Sequence, residues 1–453
     1  MLKNTSSPAN KGLINLIGIA LIIAVAGYFR MGIITDTVVK TPVRADAYDY
    51  YTYAYNLKYL KIYSRMTAGQ ETPVADAIRP PGYPAFLVPF IKPPPYDKML
   101  LKINLAQAIL GVLTVVLAWR IYLNLMPSGL AWVAAILTAM SPHLISLTTY
   151  LISETLFAFL LILSVWIFTV AHQKGNAILY ILAGAVIGVC ALTKPTLNYF
   201  VFLAAVFIFY QNGSRNYLKP PLALLFGFLL VFSPWIVRNI NAIGAPLDST
   251  LMIATMHHGL YPGFMYKDMT ESKGVPYRFD PMSREISSSF ESVFDEIERR
   301  FRSEPFKHLK WFLVDKTRTF FSWDIINGAG DIFVFPVAKS PYLDNGIYKD
   351  TRALMVVLHP IIIILALSIS ILIWVPRIAI AVPANSLFTA RLLSLLIIYF
   401  CLVHIIGAPF PRYSVPLRPI TNGMGLFALF VIYRRFSAGL KRSIGLNRSV
   451  GDE

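Results

Sequence analysis

The chain has 453 residues, of which 56% are hydrophobic and only 14% charged, a balance that excludes a water-soluble globular domain. Lys and Arg number 41 against 24 Asp and Glu, for a net charge of +17, yet the basic residues are scattered between apolar runs and form no stripe for nucleic acid. Cys190 and Cys401 both fall inside apolar runs, without metal spacing or a disulfide framework, and read as packing residues.

Apolar runs close to the roughly 20 residues that a membrane-crossing helix needs recur through most of the chain. The first, about Gly12 to Tyr28, follows Lys3 and Lys11. It contains Ala24-Val25-Ala26, which has the form of a signal-peptidase site, but the reading adopted is an uncleaved span with its N-terminus inside. About ten spans are expected, near 12–30, 101–124, 129–148, 153–172, 177–194, 196–211, 221–241, 353–375, 387–407 and 413–433. The inner connections then hold Arg120, His172 and Lys174, Arg215 and Lys219, Arg377 and Arg391, and a basic tail from Arg434 to Arg448, in keeping with the positive-inside rule.

The prediction is an all-α polytopic membrane protein in three parts. Residues 1–241 form an N-terminal transmembrane module that includes a first outer loop, 31–100; residues 242–352 form a larger helical outer loop; residues 353–453 form a C-terminal transmembrane module and tail. In the first loop Tyr48, Tyr51, Tyr55 and Tyr59 recur at helical spacing beside Lys58 and Lys61, which predicts a juxtamembrane helix with an aromatic face at the headgroups. In the second, Ile286, Phe290, Phe294, Ile297 and Phe301 predict an amphipathic helix ending near Pro305.

Charged residues at the outer ends of spans are costly unless a partner or a ligand meets them. Glu154, Lys194, Arg238 and Arg412 stand at such ends. Asp46 and Asp49 open the tyrosine helix, and Arg79 begins the rigid turn Arg79-Pro80-Pro81-Gly82-Tyr83-Pro84. Each alone reads as a cap or a snorkelling charge. Together they put a basic cluster and carboxylates on one face, which suits a carrier-linked phosphate held by charge-assisted bonds. The adjacent His257 and His258 lack the spacing that puts two metal ligands on one helical face. His143 and His404 read as hydrogen-bonded within the bundle.

The series Asp46-Ala47-x-x-Tyr50, the Arg79 to Pro84 run, Glu154 before an apolar span, Leu192-Thr193-Lys194-Pro195, Pro234-Trp235-x-x-Arg238-Asn239 and Arg412-Tyr413 resembles the GT-C glycosyltransferases. The nearest group is the bacterial branch of aminoarabinose transferases and protein O-mannosyltransferase-like proteins. The resemblance implies a GT-C fold and an inverting transfer from a polyprenyl-phosphate sugar to a hydroxyl on a lipid-linked glycan, a lipid A-like lipid or a protein, at the periplasmic face of the inner membrane. It makes Asp46 the general base, with Asp49 as fallback. It makes Arg79, Lys194, Arg238 and Arg412 partners of the carrier phosphate, and Arg44, Tyr50, Tyr83, Glu154 and Tyr413 substrate-binding residues, with Glu154 either binding a sugar hydroxyl or holding Lys194 or Arg412 in place. Membrane lipids are the remaining expected partners; no cofactor is specified, and a divalent metal is left open. One base and several cations suffice chemically, because a phosphate leaving group needs no strong general acid, unlike glycoside hydrolysis with its two carboxylates. The competing reading is a lipid-carrier flippase or transporter, against which the chain lacks paired halves with interrupted helices. A non-catalytic carrier-binding subunit would keep the basic cluster and make Asp46 dispensable.

Overall fold

The computed structural model describes residues 8–66, 72–212, 218–325, 331–344 and 346–443. Arg215 and Arg448 of the expected inner connections lie outside them.

The chain opens with helix α1 (Pro8–Asp36), strand β1 (Val38–Val39) and the tyrosine helix α2 (Asp46–Tyr59). Then come α3 (Asp97–Leu125), α4 (Ser128–Ala139), α5 (Glu154–Lys174), α6 (Ala177–Thr193), α7 (Phe200–Asn212) and α8 (Lys219–Ile243). The second long segment carries α9 (Thr250–His258), α10 (Phe290–Ser303) and strand β2 (Val337–Lys339). Helices α11 (Gly346–Leu372), α12 (Ala384–Ile406) and α13 (Arg418–Ser443) complete the bundle.

Among the described residues, 7 helices are long and apolar enough to cross a membrane. An eighth candidate is the pair Ser128–Ala139 and Pro142–Thr149, bent by 46°, and two shorter apolar helices cover Ala177–Thr193 and Pro195–Gln211. Each of the expected spans is thus met by a helix or a bent helix pair. Long helices suit this solvent because they satisfy their own backbone groups in hydrocarbon.

Helices α6 and α8 lie against each other most closely, because both present glycine at the crossing. A Cβ on Gly184 would meet the Leu224 carbonyl oxygen at 1.9 Å, and one on Gly227 would meet that of Ile181 at 1.9 Å. Backbone approach of this kind is how membrane helices gain packing energy without a hydrophobic driving force between them. Elsewhere the core is filled by large side chains such as Trp119, Tyr122, Phe157 and Phe168.

The two long segments between spans meet through a pair of short strands. Strands β1 and β2 pair antiparallel, with Val38 opposite Lys339, and Lys40 N–H donates to the Pro336 carbonyl at 2.8 Å. Within the second segment Met256, Leu260, Tyr261, Ile286 and Val293 form a small core. Helix α10 differs from its expected face. It starts at Phe290 behind the Ser289 cap, so Val293 points inward while Phe294 is 56% exposed and Ile286 sits on the preceding turn. Phe290, Val293 and Ile297 follow the tighter helical stripe that the core can accept. His257 bonds the Tyr261 hydroxyl at 2.8 Å, and that hydroxyl donates to Asp280 at 2.7 Å, so this histidine is spent on packing. Cys190 and Cys401 are free thiols.

A Gly227→Val substitution drives side-chain atoms into the Ile181 backbone, and overpacking of this sort costs about 1–3 kcal/mol. Thermal unfolding in detergent is expected to show a lowered midpoint for Gly227→Val and none of that loss for Gly129→Val, whose Cβ meets nothing within 4 Å.

Candidate active site

Helix α2 begins immediately after Ala45, whose φ of 46° is a strained value for a residue with a Cβ. That turn makes Asp46 the first helical residue. Its carboxylate does not cap the helix; it faces two guanidinium groups instead. Arg79 Nη2 donates to Asp46 Oδ1 at 2.7 Å, and Arg412 Nη2 donates to Asp46 Oδ2 at 2.6 Å. Arg79 also places Nε and Nη2 on Asp49 Oδ2, at 3.1 and 2.9 Å. Both carboxylates sit in the first turn of α2, where the helix dipole favours negative charge.

Arg412 continues the chain of charges. Its Nε lies 3.1 Å from Glu154 Oε1, and Lys194 Nζ donates to the same oxygen at 3.0 Å. Glu154 is the first residue of α5 and only 2% exposed. Lys194 sits where α6 ends before Pro195, with Nζ 4.6 Å from the centre of the Tyr413 ring. Asp49, Arg79, Asp46, Arg412, Glu154 and Lys194 therefore alternate in sign along one connected row. Three carboxylates balance three cations.

Local devices bring these residues together. Tyr63 donates its hydroxyl to the Arg79 carbonyl at 2.9 Å, and the Arg79 guanidinium lies over the Tyr50 ring at 5.5 Å. Gly82 lets the turn that follows Arg79 approach the end of α6, since a Cβ there would sit 2.5 Å from Thr193 Oγ1 and 2.8 Å from the Leu192 carbonyl oxygen. Arg412 is held by its own N–H, which donates to the Ile325 carbonyl at 3.1 Å. Burial pushes the Asp46 carboxyl up, but Arg412 and Arg79 outweigh it and hold the group below the ordinary carboxylate range.

Five members of the charged row, all but Asp49, line a cavity of about 390 Å³. Asp46, Tyr50, Arg79, Glu154, Lys194, Arg412 and Tyr413 all reach it. The remaining wall is largely apolar, with Leu192, Phe232, Trp235, Leu247, Met252 and Val403.

Three expected site residues stand apart from the cavity lining. Arg238 donates to the carbonyls of Asp76 at 2.7 Å and Tyr63 at 3.0 Å, with its guanidinium 5.0 Å from the centre of a Trp235 ring, so it braces the segment that leads to Arg79. Tyr83 is buried behind Tyr50 and donates to Gln107 at 2.9 Å. Arg44 is exposed and lies over Phe335 at 5.5 Å. Asp248, Ser249 and Thr255, at and before α9, and Asn198 and His404 also line the cavity without a sequence signal that marks them. Lys316 likewise carries no motif. It is fully buried, donates Nζ to the Ile405 and Gly407 carbonyls at 2.7 and 3.0 Å, and is pushed down by burial to about 7. Among the described residues no group of three His, Cys, Asp or Glu is placed to hold a metal ion.

Glu154→Gln leaves Lys194 and Arg412 short of a counter-ion in a buried place, and breaking such a pair costs about 3–5 kcal/mol. A lowered thermal midpoint is expected, and the double variant Glu154→Gln/Lys194→Met is expected to recover part of it.

Residues 96–237, about a third of the chain, match the family model described as dolichyl-phosphate-mannose-protein mannosyltransferase. No curated protein matches the chain by sequence. The fold is similar to that of the oligosaccharyltransferase AglB of Archaeoglobus fulgidus, solved with an inhibitory peptide and a dolichol-phosphate, at 13% identity and a TM-score of 0.52 over 98% of this chain and 53% of that one. The oligosaccharyltransferase of the same organism solved with zinc and sulfate matches at 13% identity and a TM-score of 0.52, over 95% of this chain and 51% of the other. ArnT of Cupriavidus metallidurans bound to undecaprenyl phosphate is similar at 11% identity and a TM-score of 0.40, over 97% of this chain and 81% of that one. The chain spans about half the length of the archaeal enzymes. The helical bundle thus shares the fold of the archaeal oligosaccharyltransferases, and its residues 96–237 match the mannosyltransferase family model.

Proposed function

We propose that the cavity binds a polyprenyl-phosphate sugar and transfers the sugar, with inversion, to an acceptor hydroxyl. The observation that carries this reading is a cavity whose lining joins the connected charges from Arg79 to Lys194 to a largely apolar remainder. That is the shape of a ligand with an anionic head and a hydrocarbon tail.

In this reading Asp46 accepts the proton of the acceptor hydroxyl as the new bond to the anomeric carbon forms. The bond from that carbon to the phosphate oxygen breaks, and polyprenyl phosphate leaves with the electron pair. Arg79, Arg412 and Lys194 stabilise the charge that grows on the phosphate, as preorganised cations do in a water-poor site. Arg238 acts at one remove, by holding the segment before Arg79. Tyr50 and Tyr413 offer ring faces beside the reacting groups. The acceptor is a lipid-linked glycan, a lipid A-like lipid or a protein, and the reaction runs at the outer face of the inner membrane, with Asp46, Glu154, Lys194 and Arg412 on that side.

The test is release of label from a labelled polyprenyl-phosphate sugar by the purified chain. A general base contributes about 10²–10⁴-fold, so Asp46→Asn is expected to lose turnover by that factor. Wild-type rates in Asp46→Asn would remove Asp46 from the chemistry, and no release by the wild type with any acceptor would favour a flippase.

A further inference from the structure

Among the described residues, Asp46 is the carboxylate of the charged row with a different cation on each oxygen, Arg79 on Oδ1 and Arg412 on Oδ2. A base in that state is a poor one. Each oxygen already accepts a guanidinium N–H, and the two adjacent cations stabilise the deprotonated form and lower its basicity. Asp46 becomes an effective base when it leaves at least one guanidinium.

The two arginines are arranged so that this can happen without their becoming loose. A guanidinium has five N–H donors. Arg79 keeps Nε and Nη2 on Asp49 at 3.1 and 2.9 Å, and Arg412 keeps Nε beside Glu154 at 3.1 Å. Glu154 is tied in turn to Lys194 at 3.0 Å. Asp46 is the shared middle of the row, and each cation that it touches is anchored a second time on the far side.

We propose that the donor phosphate takes the Nη groups of Arg79 and Arg412 from Asp46, so that carrier binding itself releases the base, with Asp49 and Glu154 as positioning residues that hold both guanidinium groups through the exchange. This rests on Asp46 being the base of the transfer. Phosphate oxygens compete well for these donors because the bidentate fork of arginine fits phosphate as it fits carboxylate. Once displaced, Asp46 stands beside an anion in place of two cations, and its basicity rises. The empty site then has no strong base with which to activate water, and productive acceptor binding follows donor binding.

The experiment measures equilibrium binding of a polyprenyl monophosphate without its sugar to the full chain in detergent, for the wild type, Asp46→Asn and Asp49→Asn. Removal of the competitor is expected to tighten binding in Asp46→Asn, and removal of the anchor to weaken it in Asp49→Asn, each by about fivefold or more. Asp49→Glu is expected to restore most of the affinity. A general effect of deleting negative charge near a phosphate would tighten both variants, so the opposite signs are the signature. Tighter binding in Asp49→Asn, or unchanged or weaker binding in Asp46→Asn, overturns the exchange. A readout that needs no variant is the pH profile of the wild type: the acidic limb of kcat, which reports the donor complex, is expected at higher pH than that of kcat/KM, and coincident limbs overturn the proposal. An Asp46→Asn protein that binds more tightly yet turns over normally would leave the exchange standing and remove the base, so the two readings fail separately.

Discussion

The row of alternating charges from Asp49 to Lys194 is the constraint on which this end of the molecule is built. Charges taken out of water are stable only when each meets an opposite partner in good geometry. The six groups come from widely separated stretches of chain: the start of α2, the turn at Arg79, the start of α5, the end of α6 and the turn before α13. Pairing them fixes how those stretches sit against one another. The strained Ala45, the close approach at Gly82 and the break at Pro195 are local means to that end.

The cavity wall depends on a second set of contacts, which are apolar and backbone in character. Helices α6 and α8 approach through Gly184 and Gly227, and α8 carries Phe232 and Trp235 to the cavity. The end of α12 supplies Val403, His404 and Gly407, and Lys316 holds that end by its carbonyl groups. A lysine is well suited to this place, since the last carbonyls of a helix lack partners and carry the negative end of its dipole. The β1–β2 pairing ties the two long segments together, and both contribute to the cavity lining, one with Asp46 and Arg79 and the other with Leu247 to Met256.

Much of this was legible in the sequence because membrane solvent makes the signals strong. Apolar runs of spanning length locate the helices, and charges at their ends mark Glu154, Lys194, Arg238 and Arg412 as costly groups in need of partners. Glu154 as the holder of Lys194 or Arg412 is legible in the sequence, and the structure gives it both. The pairing of Asp46 with Arg79 and Arg412 is not, because it depends on the approach of segments far apart in sequence. Arg238 illustrates the same gap: it has the type and position of a phosphate ligand, but the carbonyls of Tyr63 and Asp76 lie closer to it. Phe294 was placed inward on spacing alone, and the start of α10 at Phe290 turned Val293 inward in its place. Lys316 and the cavity residues around α9 sit in segments whose composition gives no periodic cue, so only tertiary packing reveals them.

A compensated site has a consequence for how a carrier would be held. Because three carboxylates already balance the three cations, the net electrostatic gain of an incoming phosphate would be small. Affinity must then come chiefly from the hydrocarbon tail along Leu192, Phe232, Trp235 and Met252, at about 0.8 kcal/mol per buried CH₂. A head group that contributes timing and a tail that contributes binding would make soluble phosphates poor competitors even though they carry the same anion. The same division lets the empty protein keep its buried charges without strain, since each one is paired before any ligand arrives.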